Sequence, residues 1–251
     1  NDALQLAGSH LNALQSAAAA LSERLMLTQP ATLADVDVVC RAARRAAEAP
    51  RLEGVQLSTG EWQSRRDVIR ELLDAGERMT ACRTRHDSQL IDAAWEQDLL
   101  EVRQSLLAYG DKWWKVFSGR FRAARTRLQG LVRETLPKTN SGMLELVDSV
   151  LTYQQNKKVY DQHEALGSAL FGAQWQRQKT DWPVLEHLST WVIKLHDDLG
   201  NGQIPKGIIA FLSGHADADL PADVLGGLRL GLPAARMGAG GPSQAARRGR
   251  A

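Results

Sequence analysis

Apolar residues recur along this chain at the three-and-four spacing of helices, from its start to about Leu212. No stretch alternates with the period of two that a half-buried strand requires. The first predicted helix, Leu4 to about Leu27, is rich in Ala and Leu and should end where Gln29-Pro30 forces extended backbone. Thr32, with Asp35 three residues on, predicts the cap of a second helix running to Glu48, with Leu33, Val36, Val39/Cys40 and Ala43 as its apolar stripe. Between the flanking Ser58-Thr59-Gly60-Glu61 and Tyr109-Gly110 there is no proline and one internal glycine, Gly76, which predicts a single helix of roughly 50 residues, about 75 Å long. Its apolar positions fall at Val68/Ile69, Leu72/Leu73, Met79, Leu90/Ile91, Trp95, Leu99, Val102 and Leu106. The interval from Thr80 to Gln89 is almost wholly polar, as expected of an arm with a thinly packed middle.

A heptad-like seam follows at Trp114, Phe117, Phe121, Ala124, Leu128 and Leu131. Pro137 to Gly142 reads as a turn, and a helix from about Met143 to Leu170 carries its own polar run, Gln154 to Lys158. The two polar runs would face each other if these helices lie antiparallel. Phe171 to Thr180 reads as a loop, Thr180 or Asp181 as the cap of a helix with Pro183 in its first turn, and Gly200-Asn201-Gly202 as its end. A short amphipathic piece, Pro205 to Leu212, closes the patterned part. The expected fold class is therefore all-α: an elongated helical bundle with a long antiparallel coiled-coil-like projection. Its expected organisation is N-terminal body helices at 1–57, arm and return helices at 58–170, a loop and C-terminal helices at 171–222, and a mobile Gly/Ala/Arg-rich tail at 223–251.

Composition narrows the class without naming a function. The chain has 251 residues, 43% of them hydrophobic, and 31 Lys+Arg against 29 Asp+Glu leave a net charge of only +2, so no global field commits it to nucleic acid. Cys40 and Cys82 are too few for a disulfide scaffold or a four-cysteine zinc site. No apolar run approaches the ~20 residues of a membrane span, and Ala17–Leu21 follows no basic segment of the kind that opens a signal peptide. A cytoplasmic, reduced protein is expected, and a first residue of Asn rather than Met suggests a processed or excised chain.

The search for catalytic chemistry yields no constellation. There is no Gly-x-x-x-x-Gly-Lys-Ser/Thr loop to cradle a triphosphate; Lys138-Thr139 follows a proline and belongs to a turn. There is no Gly-x-Ser-x-Gly elbow, and Gly167 stands where a zincin helix beginning His163-Glu164 would need its second histidine. His187 and His196 are nine residues apart, on different helix faces. Cys82 and His86, four apart, form half a metal site with no third ligand implied. The expectation is no catalytic residue, no metal and no cofactor. One segment suggests binding: Lys112, Lys115, Arg120, Arg122, Arg125, Arg127 and Arg133 are bordered by a single acid, Asp111, and interleaved with Trp113, Trp114, Phe117 and Phe121. Phosphate contact plus base stacking would use such residues, whereas the competing reading makes the aromatics core and the arginines a solvated flank.

The stretch Leu166-Gly167, Phe171-Gly172-Ala173-Gln174-Trp175-Gln176 and Thr180-Asp181-Trp182, with Trp191 downstream, resembles the long helical insertion of large bacterial superfamily 1 helicases of the Upf1-like kind. The likeness covers about Trp95 to Leu212, and the Trp113-Trp114 helix fits the same layout. It implies a parent that hydrolyses ATP and moves along or unwinds nucleic acid, with the insertion lying between two ATP-site motifs, neither of which is in this chain. The chain would then be a non-catalytic stalk partnered by the helicase motor, by DNA or RNA, or by a protein held on the helical arm, with no membrane partner. Trp175 and Trp182 admit two readings: packing of the loop on the bundle, or a docking surface for a partner. The alternative function is a helical interaction or oligomerisation module without nucleic-acid contact. Without a phosphate loop, calorimetric titration of the chain with Mg-ATP should be flat, and a stoichiometric micromolar isotherm would overturn the accessory-domain expectation.

Overall fold

A computed structural model describes residues 2–109 and 118–214. The first part of the expected seam (110–117) and the expected Gly/Ala/Arg tail lie outside the described residues. The chain is all-α, and it divides into two compact units, one of Asn1–Ala47 with Asp219–Ala251 and one of Glu48–Ala218. The boundary falls ten residues before the expected one at 57. The expected arm and the described part of the segment that follows it, 171–214, belong to a single unit.

In the first unit, α1 (Asp2–Arg24) and α2 (Leu33–Ala47) pack on each other. Helix α1 ends earlier than Pro30 requires. Met26 adopts φ 57°, Leu27 N–H donates to the Ser22 carbonyl at 2.8 Å and Met26 N–H to that of Glu23 at 3.1 Å. This is a Schellman closure with methionine where glycine is usual. The Thr32 cap is as the sequence predicts: Asp35 N–H donates to Thr32 Oγ1, and Thr32 N–H donates back to the Asp35 carboxylate at 2.8 Å. The Thr32 hydroxyl, donating to the same carboxylate at 2.8 Å, together with the backbone N–H groups of Thr32 and Ala31, holds the Asp35 carboxyl below its ordinary range.

The second unit contains α3 (Glu61–Ser64), α4 (Arg66–His86), α5 (Leu100–Tyr109), α6 (Gly119–Gln129), α7 (Asn140–Phe171), α8 (Trp182–Gly200) and α9 (Ile208–Gly214). At 32 residues, α7 is about 48 Å long. It packs on α4, on α5 and on the 3-10 turns Asp92–Glu96 and Gly172–Gln174. Neighbours on several sides explain why its apolar residues do not form one stripe. Helices α4 and α7 lie antiparallel: Arg85 pairs with Glu145 at 2.7 Å near one end, and Trp62 meets Phe171 edge to face at 5.4 Å near the other. The polar runs on these helices are out of register. Gln154 instead donates its amide to the carbonyls of Trp95 and Gln97 at 3.0 and 2.8 Å.

The predicted 50-residue helix does not form. Helix α4 stops at His86, and α5 starts only at Leu100. Between them Ile91 is extended (ψ 156°), Leu90 bridges to Val132, and Ile91 N–H donates to Leu131 O at 3.0 Å. The Asp98 carboxylate then accepts from Leu100 N–H at 3.0 Å, a side-chain cap for α5. Leu90, Trp95 and Leu99 are fully buried, so the expected thin middle of an arm is core. The helix yields because residues 131–133 and Gln154 supply partners for the backbone groups it gives up.

The connection from α7 to α8 doubles back along α7, and tryptophans fix its course. Trp175 stacks between Tyr160 (5.7 Å) and Phe171 (5.9 Å), and Trp182 meets Trp175 edge-on at 5.6 Å. Both indoles lie on helical glycines: a Cβ on Gly76 would stand 2.3 Å from the Trp182 ring, and one on Gly167 would stand 2.5 Å from the Trp175 ring. Trp182 Nε1 donates to Thr80 Oγ1 at 2.8 Å, and Asp181 caps α8 by accepting from Val184 N–H. At the far end of α8, Asp197 accepts from Gln63 and Arg66 at 2.9 and 2.7 Å. Helix α8 is therefore antiparallel to α4 as well. A second close approach pins the connection's start: Gly172 (φ 54°) passes so near the Gly54 carbonyl that a Cβ there would lie 2.2 Å from it.

Gly→Ala inside a helix ordinarily stabilises by about 1 kcal/mol. Gly76→Ala should instead destabilise the chain by about 1–3 kcal/mol in urea unfolding, because the methyl overpacks against Trp182. In a Trp182→Leu background the same substitution should be neutral or stabilising.

Candidate nucleic-acid interface

Helix α6 carries the described core of the predicted basic segment. Ser118 caps it, its hydroxyl accepting from Phe121 N–H at 3.3 Å. Phe121, Ala124 and Leu128 are buried and α6 packs on α5, so this part of the predicted seam is satisfied within the chain. Leu131 is half-buried. Lys112, Lys115, Trp113, Trp114 and Phe117 lie outside the described residues.

Arg120, Arg122, Arg125 and Arg127 are all exposed, and α6 contains no acidic residue. At 100° per residue they fall into two pairs on opposite flanks of the buried stripe, Arg120 with Arg127 and Arg122 with Arg125. The first pair faces α5. Arg127 donates to the Asp98 carbonyl at 2.9 Å, and both arginines line a groove of about 560 Å³ with Glu101, Gln104, Ser105 and Tyr109. The second pair is the freer one. Neither Arg122 nor Arg125 has a hydrogen-bond or ion-pair partner among the described residues, and the same holds for Arg120. Elsewhere in the unit arginines mostly meet acids: Arg66 with Asp197, Arg85 with Glu145, Arg103 with Asp148 and Arg177 with Glu164.

Arg133 departs from its expected role as a phosphate contact. Its Nε donates to the carbonyls of Asp87 and Leu90 at 3.1 and 2.9 Å, and its guanidinium pairs with Asp92 at 3.6 Å. It clamps the break after α4 to the segment that follows α6. Of the two readings open for Trp175 and Trp182, their burial supports packing. At 8% and 5% exposure they pack the aromatic cluster and offer no docking surface.

Two arrangements were not legible in the residue pattern. Arg83, in the polar interval Thr80 to Gln89, lies over the rings of Trp95 (5.3 Å) and Tyr153 (5.8 Å) while bonding Asp87 and Asp92 at 3.3 and 3.1 Å. It borders a cavity of about 310 Å³ with Thr80, Thr84, Tyr160, Lys179 and Trp182. Burial, reinforced by Glu164, pushes the Tyr160 phenol up to about 12, so it stays protonated. The half metal site is not completed: among the described residues no three His, Cys, Asp or Glu side chains converge on one point. The His86 ring is buried and held below the usual imidazole range by that burial, and burial pushes the half-buried Cys82 thiol up. The raised Cys82 pKa disfavours the thiolate, the form in which a cysteine attacks or ligates.

Comparison of the chain with protein-family models, with curated proteins and with solved structures gives no match. Among the described residues no helix is long and apolar enough to cross a membrane.

The two kinds of arginine should separate by stability. Arg133→Ala should cost about 1–2 kcal/mol in urea unfolding, since it removes charge-assisted bonds to two carbonyls. Arg122→Gln/Arg125→Gln should change stability by less than about 0.5 kcal/mol, as expected of exposed side chains outside any network.

Proposed function

We propose that this chain is a non-catalytic helical accessory module that engages nucleic acid through the backbone phosphates, with α6 as the contact element. The observation that supports this reading most is the charge of α6: four exposed arginines, no acid in the helix, and three of the four without a partner among the described residues. Unpaired guanidinium groups forgo attraction that arginines elsewhere in the unit obtain, and phosphate is the bidentate anion they fit best. Arg122 and Arg125, one helical turn apart, are about 5–6 Å apart at Cβ, a spacing that suits adjacent phosphates on one strand. Lys112 and Lys115, adjacent in sequence to this helix, extend the basic character.

The setting as the stalk of an ATP-dependent superfamily 1 helicase belongs to the same proposal. It rests on the resemblance of residues 166–191. Gly167, Trp175, Trp182 and Trp191 are buried or pack the buried cluster, so that resemblance concerns packing and assigns no chemistry. Within such a parent the module would hold nucleic acid near the motor and leave ATP hydrolysis to it.

Phosphate contact has a thermodynamic signature. Each neutralised phosphate of duplex DNA contributes about −0.9 to the slope of log affinity against log salt. With residues 223–251 deleted, so that Arg247, Arg248 and Arg250 do not contribute, fluorescence anisotropy with labelled single- and double-stranded oligonucleotides should show salt-dependent binding. Arg122→Gln/Arg125→Gln should then weaken binding and flatten the slope by about 1–2. Absence of any salt-dependent binding at low ionic strength would remove nucleic acid from the function of α6.

A further inference from the structure

Helix α1 carries a second seam that the chain itself only half uses. Leu4, Ala7, Leu11, Leu14, Ala18, Leu21 and Leu25 follow strict three-and-four spacing over three heptads, the signature of a helix paired along its length. The seam's burial is graded. Ala18 and Leu25 are buried beside the turn into α2, Leu14 and Leu21 are half-buried, and Leu4 and Leu11 are 77% and 41% exposed. The cause is length: α1 has 23 residues and α2 only 15, so α2 does not reach the outer half of the seam.

We propose that the uncovered half, Leu4 to Leu14, pairs antiparallel with the same segment of a second copy of this chain. Three observations select that occupant. The seam is continuous with the α1–α2 interface, so a second helix extends packing that already exists. From Ala3 to Ser22 there is no Asp, Glu, Lys or Arg. His10 is the one titratable side chain there; no fixed charge repels an identical helix, and none at the flanking positions selects a partner, as in heterotypic coiled coils.

The order of large and small residues is also self-complementary. In an antiparallel register that places Leu4 opposite Leu14, Ala7 falls opposite Leu11, and the two-fold repeats both layers, a leucine–leucine layer at each end and a small-against-large layer inside it. At Gly8, beside the seam, an added Cβ would meet nothing within 4 Å, leaving room for close approach. Antiparallel pairing also opposes the helix dipoles and keeps the two α2 helices at opposite ends, whereas a parallel pair would bring them side by side. This surface shares no residue with α6, so the inference stands or falls independently of nucleic-acid binding.

The test is sedimentation velocity on the full chain over about three decades of concentration, since a seam of about 16 Å supports a reversible dimer and not an obligate one. The wild-type chain should pass from monomer to dimer, and Leu4→Gln/Leu11→Gln should stay monomeric with unchanged circular dichroism, because both leucines are exposed. Register is read by disulfide trapping in a Cys40→Ala/Cys82→Ala background. Mixed Ala7→Cys and Leu11→Cys chains should cross-link to each other in preference to themselves. A wild-type chain that is monomeric throughout, a double variant that still dimerises, or preferential self-cross-linking of Ala7→Cys would each overturn the proposal.

Discussion

Two helical glycines set the spacing of the larger unit. Gly76 of α4 and Gly167 of α7 leave flat, side-chain-free patches on helices that face each other, and the indoles of Trp182 and Trp175 lie on them. Each glycine costs its helix about 0.5–1 kcal/mol relative to alanine. The aromatic pairs that become possible, Trp175 with Tyr160, Phe171 and Trp182, contribute about 0.5–1.5 kcal/mol each beyond their buried area. With any larger residue at either glycine the tryptophan could not reach its place, and the α7–α8 connection would lose its path back along α7. The direction of α8, and with it the Asp197 ties to Gln63 and Arg66, follows from that path.

A second constraint acts at the other end of α4. Continuing the helix through residues 87–99 would keep every local hydrogen bond, yet the chain breaks there. The break lets Leu90, Trp95 and Leu99 enter one core and brings the Trp95 ring beneath Arg83. The backbone groups it frees find partners distant in sequence: Leu131 and Gln89 across the 131–133 segment, and Gln154 on α7. Arg133 bonds the carbonyls of Asp87 and Leu90, at the start of the break. A residue that reads as part of a basic cluster thus serves to hold α4 and the segment after α6 together.

The same distinction orders the remaining charge. Arginines with a carboxylate or carbonyl within reach are part of the fold, and α6, which has no acid of its own, is where partnerless arginines concentrate among the described residues. Packing on α5 divides its four arginines between two flanks, so the feature best suited to phosphate is the Arg122–Arg125 flank and not the cluster as a whole. Local sequence shows charge density, but only packing assigns each charge to the fold or to solvent.

The sequence by itself determined the all-α class, the cap at Thr32, the cap of α8 to within Thr180 or Asp181, the end of α8 at Gly200 and most core positions along α4 and α5. Spacing, side-chain caps and proline or glycine stops act within a few residues and are written into any window of the chain. Tertiary structure alone decided that 61–109 is broken, that α1 closes at Met26, that Arg83 and Arg133 are structural and that Trp175 and Trp182 are core. Each of these depends on a partner distant in the chain or on a backbone conformation that the residue type disfavours. Local propensity favours one uninterrupted helix over 61–109. The core gained by folding its middle inward, with Gln154 and residues 131–133 taking up the freed hydrogen bonds, outweighs that preference.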